Sequence, residues 1–187
     1  MNTEQSAQDT GTPGDTWSDI MKLAILLFDH IEGQISLADT KTQFTLAADT
    51  LLAAALTLSG RGMAYNIFDT AAPVGSRVAA GINLLTLAAL VVSIYYAALA
   101  ARPTLNVPKH SRTLFYFGHI ARLGEREFLD VFPAQSEAEM REGILVQVHA
   151  KSVIANHKFT RARRSISFLI LALALWALLQ VVSAFLP

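Results

Sequence analysis

The chain contains no cysteine. That excludes a disulfide framework, a thiolate metal centre and a thiol nucleophile. Charge is scarce as well: 16% of its 187 residues are Asp, Glu, Lys or Arg, where a soluble domain carries about a quarter. Neither sign is in excess, with formal net charge +0, so nothing global draws the chain to nucleic acid. Catalytic signatures are missing too. There is no GxSxG, no HExxH and no phosphate-binding glycine loop, and no catalytic residues are assigned; the expectation is a protein that is not an enzyme. His30, His110, His119, His149 and His157 are scattered. His149 and His157 lack a carboxylate pair beside them, so no metal site is expected. The start, "MNTEQSAQDTGTPGDT", has neither a basic flank nor an apolar core and does not read as a signal peptide. Residues 1–15 are expected to form a disordered polar tail.

What the chain has is apolar length. Hydrophobic residues make up 52% of it, and mean hydropathy is +0.38. Val78–Ala101 and Ser165–Leu186 are uncharged runs, each longer than the roughly 20 residues that cross about 30 Å of hydrocarbon. A third candidate, residues 42–60, contains Asp49, and a central Asp disfavours insertion by about 2.5–3.5 kcal/mol. Its Ala and Leu content, and a strong span one loop away, favour a helical hairpin. Eleven of the fifteen Lys and Arg residues lie between Arg102 and Arg164. By the positive-inside rule residues 102–164 are cytoplasmic. The expected fold is therefore an all-α, multi-pass membrane protein with three transmembrane helices, N-terminus in and C-terminus out. Its parts are a cytoplasmic helix over 16–41, a first span over 42–60, an external loop over 61–77, a second span over 78–101 and a third over 165–186. The first and third spans carry cytoplasmic helical extensions.

Two such extensions are predicted. The first begins near Thr16, with Asp19 three residues on, and places Ile20, Ala24, Leu27, Ile31, Ile35 and Ala38 on one stripe. The second opens with the capping-box pattern of Ser136 and Glu139, and its stripe is Leu145, Val148, Ser152, Ala155, Phe159, Ala162 and Ile166. Asp39 and Arg161 lie at nearly equal height below their spans. Asp39 is therefore expected either to pair with Arg161 or Arg164, or simply to sit in the headgroup layer. Lys41 points elsewhere and suits anionic lipid phosphates. Between the second span and the second extension, Pro103 and Pro108 end the membrane helix, and Gly124 opens a short helix closed by Pro133. Leu114, Phe115, Phe117, Ile120, Phe128 and Phe132 read as a small core rather than a ligand cage.

Asp49 has two readings. An ionisable group at membrane depth is a functional candidate, which would place it on a polar seam between subunits. Alternatively it hydrogen-bonds to Asn83 or Thr86 on the second span. Ala47, Thr50, Ala54 and Thr57 make a second, small-residue face suited to close helix packing.

Three elements occur in order: "ADTK" at 38–41 before the first span, "LFYFGHIA" at 114–121, and Lys158-Phe159 before the last span. In this order the chain resembles the transmembrane effector family of Pycsar antiphage systems over residues 20–186. Thr42 departs from the small apolar residue usual there. The resemblance implies a bacterial inner-membrane protein whose soluble part is mainly cytoplasmic. It implies a response to cyclic CMP or cyclic UMP, made by a partner pyrimidine cyclase, and loss of membrane integrity on activation. Lys158, Arg161, His119, Phe117 and Lys41 are the ligand-binding candidates. No cofactor other than that ligand is expected; membrane lipids and further copies of the chain are the expected partners. A constitutive membrane scaffold and a small ion-conducting subunit without nucleotide control are the alternatives.

Overall fold

The computed structural model describes residues 13–59, 73–103 and 114–185. Five helices account for nearly all of them: α1 Pro13–Ser59, α2 Val74–Ala101, α3 Phe117–Ile120, α4 Glu125–Val131 and α5 Glu137–Phe185. Among the described residues there is no strand, so the all-α expectation holds. The expected tail over residues 1–12, the expected loop over 60–72, Pro108 and Leu186 lie outside the described residues.

Boundaries differ from the sequence reading at two ends. The first helix begins at Pro13 rather than Thr16. Proline suits a first helical turn, where its missing N–H has no partner to lose. The second helix begins at Val74, four residues before the expected span, and the Pro73 carbonyl accepts from Arg77 N–H at 3.2 Å. It ends at Ala101 because Arg102 precedes Pro103 and takes extended geometry (φ −60°, ψ 131°). The start of α5 is as expected, on its capping box. Ser136 N–H donates to Glu139 Oε2 at 2.8 Å, and Glu139 N–H donates back to Ser136 Oγ at 3.3 Å.

The Ser136 backbone N–H first, and then the Ser136 hydroxyl, which also donates to Glu139 Oε2 at 2.8 Å, hold the Glu139 carboxyl below its ordinary value. A depressed carboxyl contributes stability above the unfolded pKa of about 4.3 and loses it as pH falls through the lower folded value. Acidification is thus expected to lower the amide protection factors, taken against the intrinsic rate at each pH, over the first turn of α5. Glu139→Gln should remove that acid-dependent component; an unchanged pH profile in the variant would exclude the box as its source.

The chain forms two compact units. Of the described residues, one comprises α1 up to Gly33 together with 114–153, the other 34–59, 73–103 and 154–185. In the first unit Ala24, Ile31, Leu114, Ile144 and Val148 are buried, whereas Phe132 is exposed. Among the described side chains of the expected aromatic core, Leu114 is fully covered, and Phe115, Ile120 and Phe128 are half-buried.

The second unit is a three-helix bundle. As α1 advances from Asp49 to Leu56, its neighbours on α2 recede from Ser93 to Ala89, while those on α5 advance from Ser165 to Ala172. Hence α1 and α5 run parallel, with α2 antiparallel to both. Burial repeats every seven residues. On α1 it falls at Ala38, Thr45 and Leu52 and at Thr42, Asp49 and Leu56; on α2 at Ala79, Thr86, Ser93 and Ala100; on α5 at Lys158, Ser165, Ala172 and Leu179. A seven-residue period is that of helices wound about one another in left-handed coiled-coil fashion. The inner positions are mostly small or hydroxylated, which lets backbones approach closely. Threonines neutralise their own polarity: Thr42, Thr45 and Thr86 each donate to the carbonyl four residues back at 2.8 Å.

This period corrects the expected stripes. Ile20, Leu27 and Leu145 are exposed, because a stripe drawn at 3.6 residues drifts off a 3.5-residue seam. On α5 the seam instead takes Ile144, Lys158 and Ser165, and the last two are polar.

Among the described residues two helices, α2 and α5, carry windows long and apolar enough to cross a membrane. Only 33% and 22% of those windows are covered by protein. The core helix of a soluble protein would be mostly covered, so these faces suit lipid. The Asp49-bearing half of α1, expected to be a third span, does not reach that apolarity.

Candidate functional site

The polar residues of the bundle gather at two levels. At the lower level Asp39 Oδ1 receives Lys158 Nζ at 2.5 Å. The expected partners were Arg161 or Arg164; helix rotation decides otherwise. Lys158 occupies the inner seam of α5, facing α1, with its side chain only 10% exposed. Arg161, three residues on, turns towards α2 and donates from Nη1 to the Leu99 carbonyl at 3.0 Å. That carbonyl belongs to the last turn of α2, whose acceptors lack helical partners. Arg164 lies with its guanidinium 5.6 Å from the centre of the Tyr96 ring. Lys41, expected to reach lipid phosphates, stands 5.6 Å from the centre of the Phe159 ring. The first unit has a similar pair: Lys151 donates to Glu32, and its Nζ lies 3.7 Å over the Phe28 ring. Each acid precedes its lysine by 119 residues, so acid and base recur seven positions further along both helices.

At the upper level sits Asp49, 0% exposed. Its Oδ2 lies 3.1 Å from Ser93 Oγ, and Ser93 and Ser165 exchange contacts between their hydroxyls and carbonyls at 2.9–3.3 Å. The expected partners Asn83 and Thr86 do not reach it. Asn83 is ten residues along α2 from Ser93, about 15 Å at helical rise; Thr86 donates to Ile82. Asn83 is itself buried, and its Oδ1 has no hydrogen-bond partner. Asp49 thus faces α2 and α5 of its own protomer.

The ligand-binding candidates fall in different units. Lys41, Lys158 and Arg161 belong to the bundle, and all three are engaged as above. His119 and Phe117 belong to the first unit, in the single-turn α3, where Tyr116 carbonyl oxygen accepts from His119 N–H at 2.9 Å. His119 is half-buried; the side chain of Phe117 lies outside the described residues. Gly118 of the "FGH" element is packed against the Tyr116 ring, whose Cε1 would lie 2.5 Å from an added Cβ. The first unit also has an open groove of about 550 Å³ along α5, lined by Ala138, Arg141, Glu142, Leu145, Val146 and His149. Among the described residues no group of three His, Asp or Glu is placed to hold a metal ion.

The family model for the Pycsar effector protein domain matches residues 23–184. The chain belongs to the Pycsar effector family. No curated protein and no solved structure matches it. The family match spans all of α2 to α4, nearly all of α5 and all but the first turns of α1. In this Pycsar effector the two polar levels and the groove thus lie inside the family domain. Ser93, Ser165 and Arg141 went unmarked in the sequence reading. The serines were nonetheless detectable, each seven residues from another small or polar seam position: Thr86 and Ala100 for Ser93, Lys158 and Ala172 for Ser165.

Proposed function

We propose that this Pycsar effector is a membrane-disrupting antiphage protein controlled by a cyclic pyrimidine nucleotide, cyclic CMP or cyclic UMP. It does no chemistry and uses no cofactor beyond that ligand. It spans the inner membrane three times, residues 42–59 of α1 being the third span, with the Lys- and Arg-rich segment in the cytoplasm and several copies acting together. The observation that carries this reading is the Asp39–Lys158 pair at the foot of the bundle. A lysine with a carboxylate partner is a basic site already occupied by an anion. A cyclic phosphate can replace that carboxylate, and its differential affinity for the two states is what shifts the equilibrium. Lys158 lies one turn below Ala162 and two below Ser165 on the same helix face. Withdrawing it from Asp39 therefore loosens the α1–α5 seam where it enters the membrane.

Calorimetric titration of the purified full chain with each nucleotide tests the reading. Binding of one nucleotide, weakened at least tenfold by Lys158→Ala, is the expected result. Heat with neither nucleotide would remove sensing by this chain and leave the scaffold or an uncontrolled channel.

A further inference from the structure

The hydrogens of the Asp49 layer do not balance. A serine hydroxyl has one hydrogen, whereas a carbonyl and an ionised carboxylate only accept. Ser165 Oγ spends its hydrogen on the Ser93 carbonyl at 2.9 Å. Ser93 Oγ then stands 3.0 Å from the Ser165 carbonyl and 3.1 Å from Asp49 Oδ2. It has one hydrogen for two acceptors. Whichever it serves, the other oxygen faces it lone pair to lone pair at bonding distance. Asp49 Oδ1, meanwhile, has no donor at all, on a side chain sealed from solvent.

No basic side chain compensates. Among the described residues Asp49 forms no ion pair; of the charged groups nearest it along each helix, Arg163 is exposed and the others are engaged elsewhere. Asp39 and Lys158 hold each other; Lys41 stands by Phe159 and Arg164 by Tyr96; Arg161 caps α2. On α2, Tyr96 stacks on Phe168, and Tyr95 packs edge-on against Tyr96. An unpaired carboxylate among three apolar helices is strongly disfavoured, so positive charge is required at that point.

We propose that Asp49, Ser93 and Ser165 form a binding site for one small monovalent cation, a proton or an alkali ion, enclosed within the protomer. A proton on Asp49 Oδ2 is donated to Ser93 Oγ. This releases the Ser93 hydrogen for the Ser165 carbonyl, and three hydrogens then serve three contacts. An alkali ion achieves the same balance by taking the lone pairs of Asp49 and both hydroxyls. A divalent ion is a poor fit, because a single carboxylate supplies too little charge and too few oxygens. The site is separate from Lys158 and needs no nucleotide, so it stands whether or not the sensing reading does.

The experiment uses purified full-length protein in detergent, without nucleotide, at constant ionic strength. Infrared spectra report the protonated carboxyl, and thermal unfolding is followed in sodium, potassium and choline chloride. A carboxylic-acid C=O band that vanishes in Asp49→Asn identifies the proton. A melting temperature that rises with sodium or potassium but not choline, and does so only with Asp49 present, identifies the alkali ion. Either result supports the site. Should Asp49→Asn fail to fold, Ser93→Ala keeps the carboxyl and removes its neighbour. It is expected to move the acid band to higher frequency or to abolish the alkali-ion effect. The site is overturned by spectra without an acid band wherever the protein stays folded, combined with melting indifferent to sodium and potassium. Ser93→Ala matching the parent in both measurements overturns it equally.

Discussion

Ala172→Phe is expected to be among the most destabilising single changes in the bundle, while Ala174→Phe, two residues along the same helix, is expected to be nearly silent. Ala172 is 0% exposed and packs in the cluster with Leu52, Leu56, Ala89, Leu90 and Leu169; Ala174 is exposed. Forcing a ring between three closely approaching backbones gives overpacking at the upper end of the usual range, about 3 kcal/mol or more. An exposed substitution stays within about 0.5 kcal/mol. The contrast is sharp because lipid supplies no hydrophobic drive between helices. What holds them is close packing, to which small residues contribute by letting backbones meet. Melting temperatures of the two variants in one detergent check this. Equal shifts would mean that the seam on α5 is not the one running through Lys158, Ser165, Ala172 and Leu179.

The helical content and its placement were legible in the sequence because both signals are local. Long uncharged runs mark α2 and the end of α5, and the Ser136–Glu139 spacing marks where α5 begins. Which face of each helix turns inward was less legible. Hydrophobicity locates an inner face only when the outside is polar, and here lipid makes the outside apolar too. Leu51, Leu58 and Leu84 are exposed while Thr86, Ser93 and Ser165 are buried, the reverse of a soluble bundle. The cue that survives this inversion is period rather than polarity. Asp39 shows the same limit: its height on α1 pointed to the base of α5, but a few tens of degrees of helix rotation chose Lys158 over Arg161. Asp49 was recognisable as anomalous from its residue type alone. Its partners were not, because Ser93 and Ser165 are ordinary residues until three helices bring them to one level.

Breaking the Asp39–Lys158 pair from its two sides is expected to give unequal results. In Asp39→Asn the ammonium of Lys158, with only 10% of its side chain exposed, loses its charged acceptor. Leaving a nearly buried charge half-satisfied costs roughly 1–3 kcal/mol. In Lys158→Met an apolar chain of similar length fills the inner position, and Asp39, 39% exposed, turns to solvent. That change should be near neutral, since replacing a covered charge by an apolar residue often is. The double variant should match Lys158→Met alone, so that the two single effects fail to add. Under the proposed control the functional signs also differ. Asp39→Asn removes the anion that competes for Lys158, and every 1.4 kcal/mol withdrawn from the resting state raises the active population, and the apparent nucleotide affinity, about tenfold. Cells expressing Asp39→Asn should therefore lose membrane integrity at lower cyclase activity, read as dye entry. Lys158→Met should abolish the response while leaving melting almost unchanged. Additive melting shifts would show that the two residues act independently. Asp39→Asn with an unaltered nucleotide threshold would show that the pair is a structural clasp outside the switch.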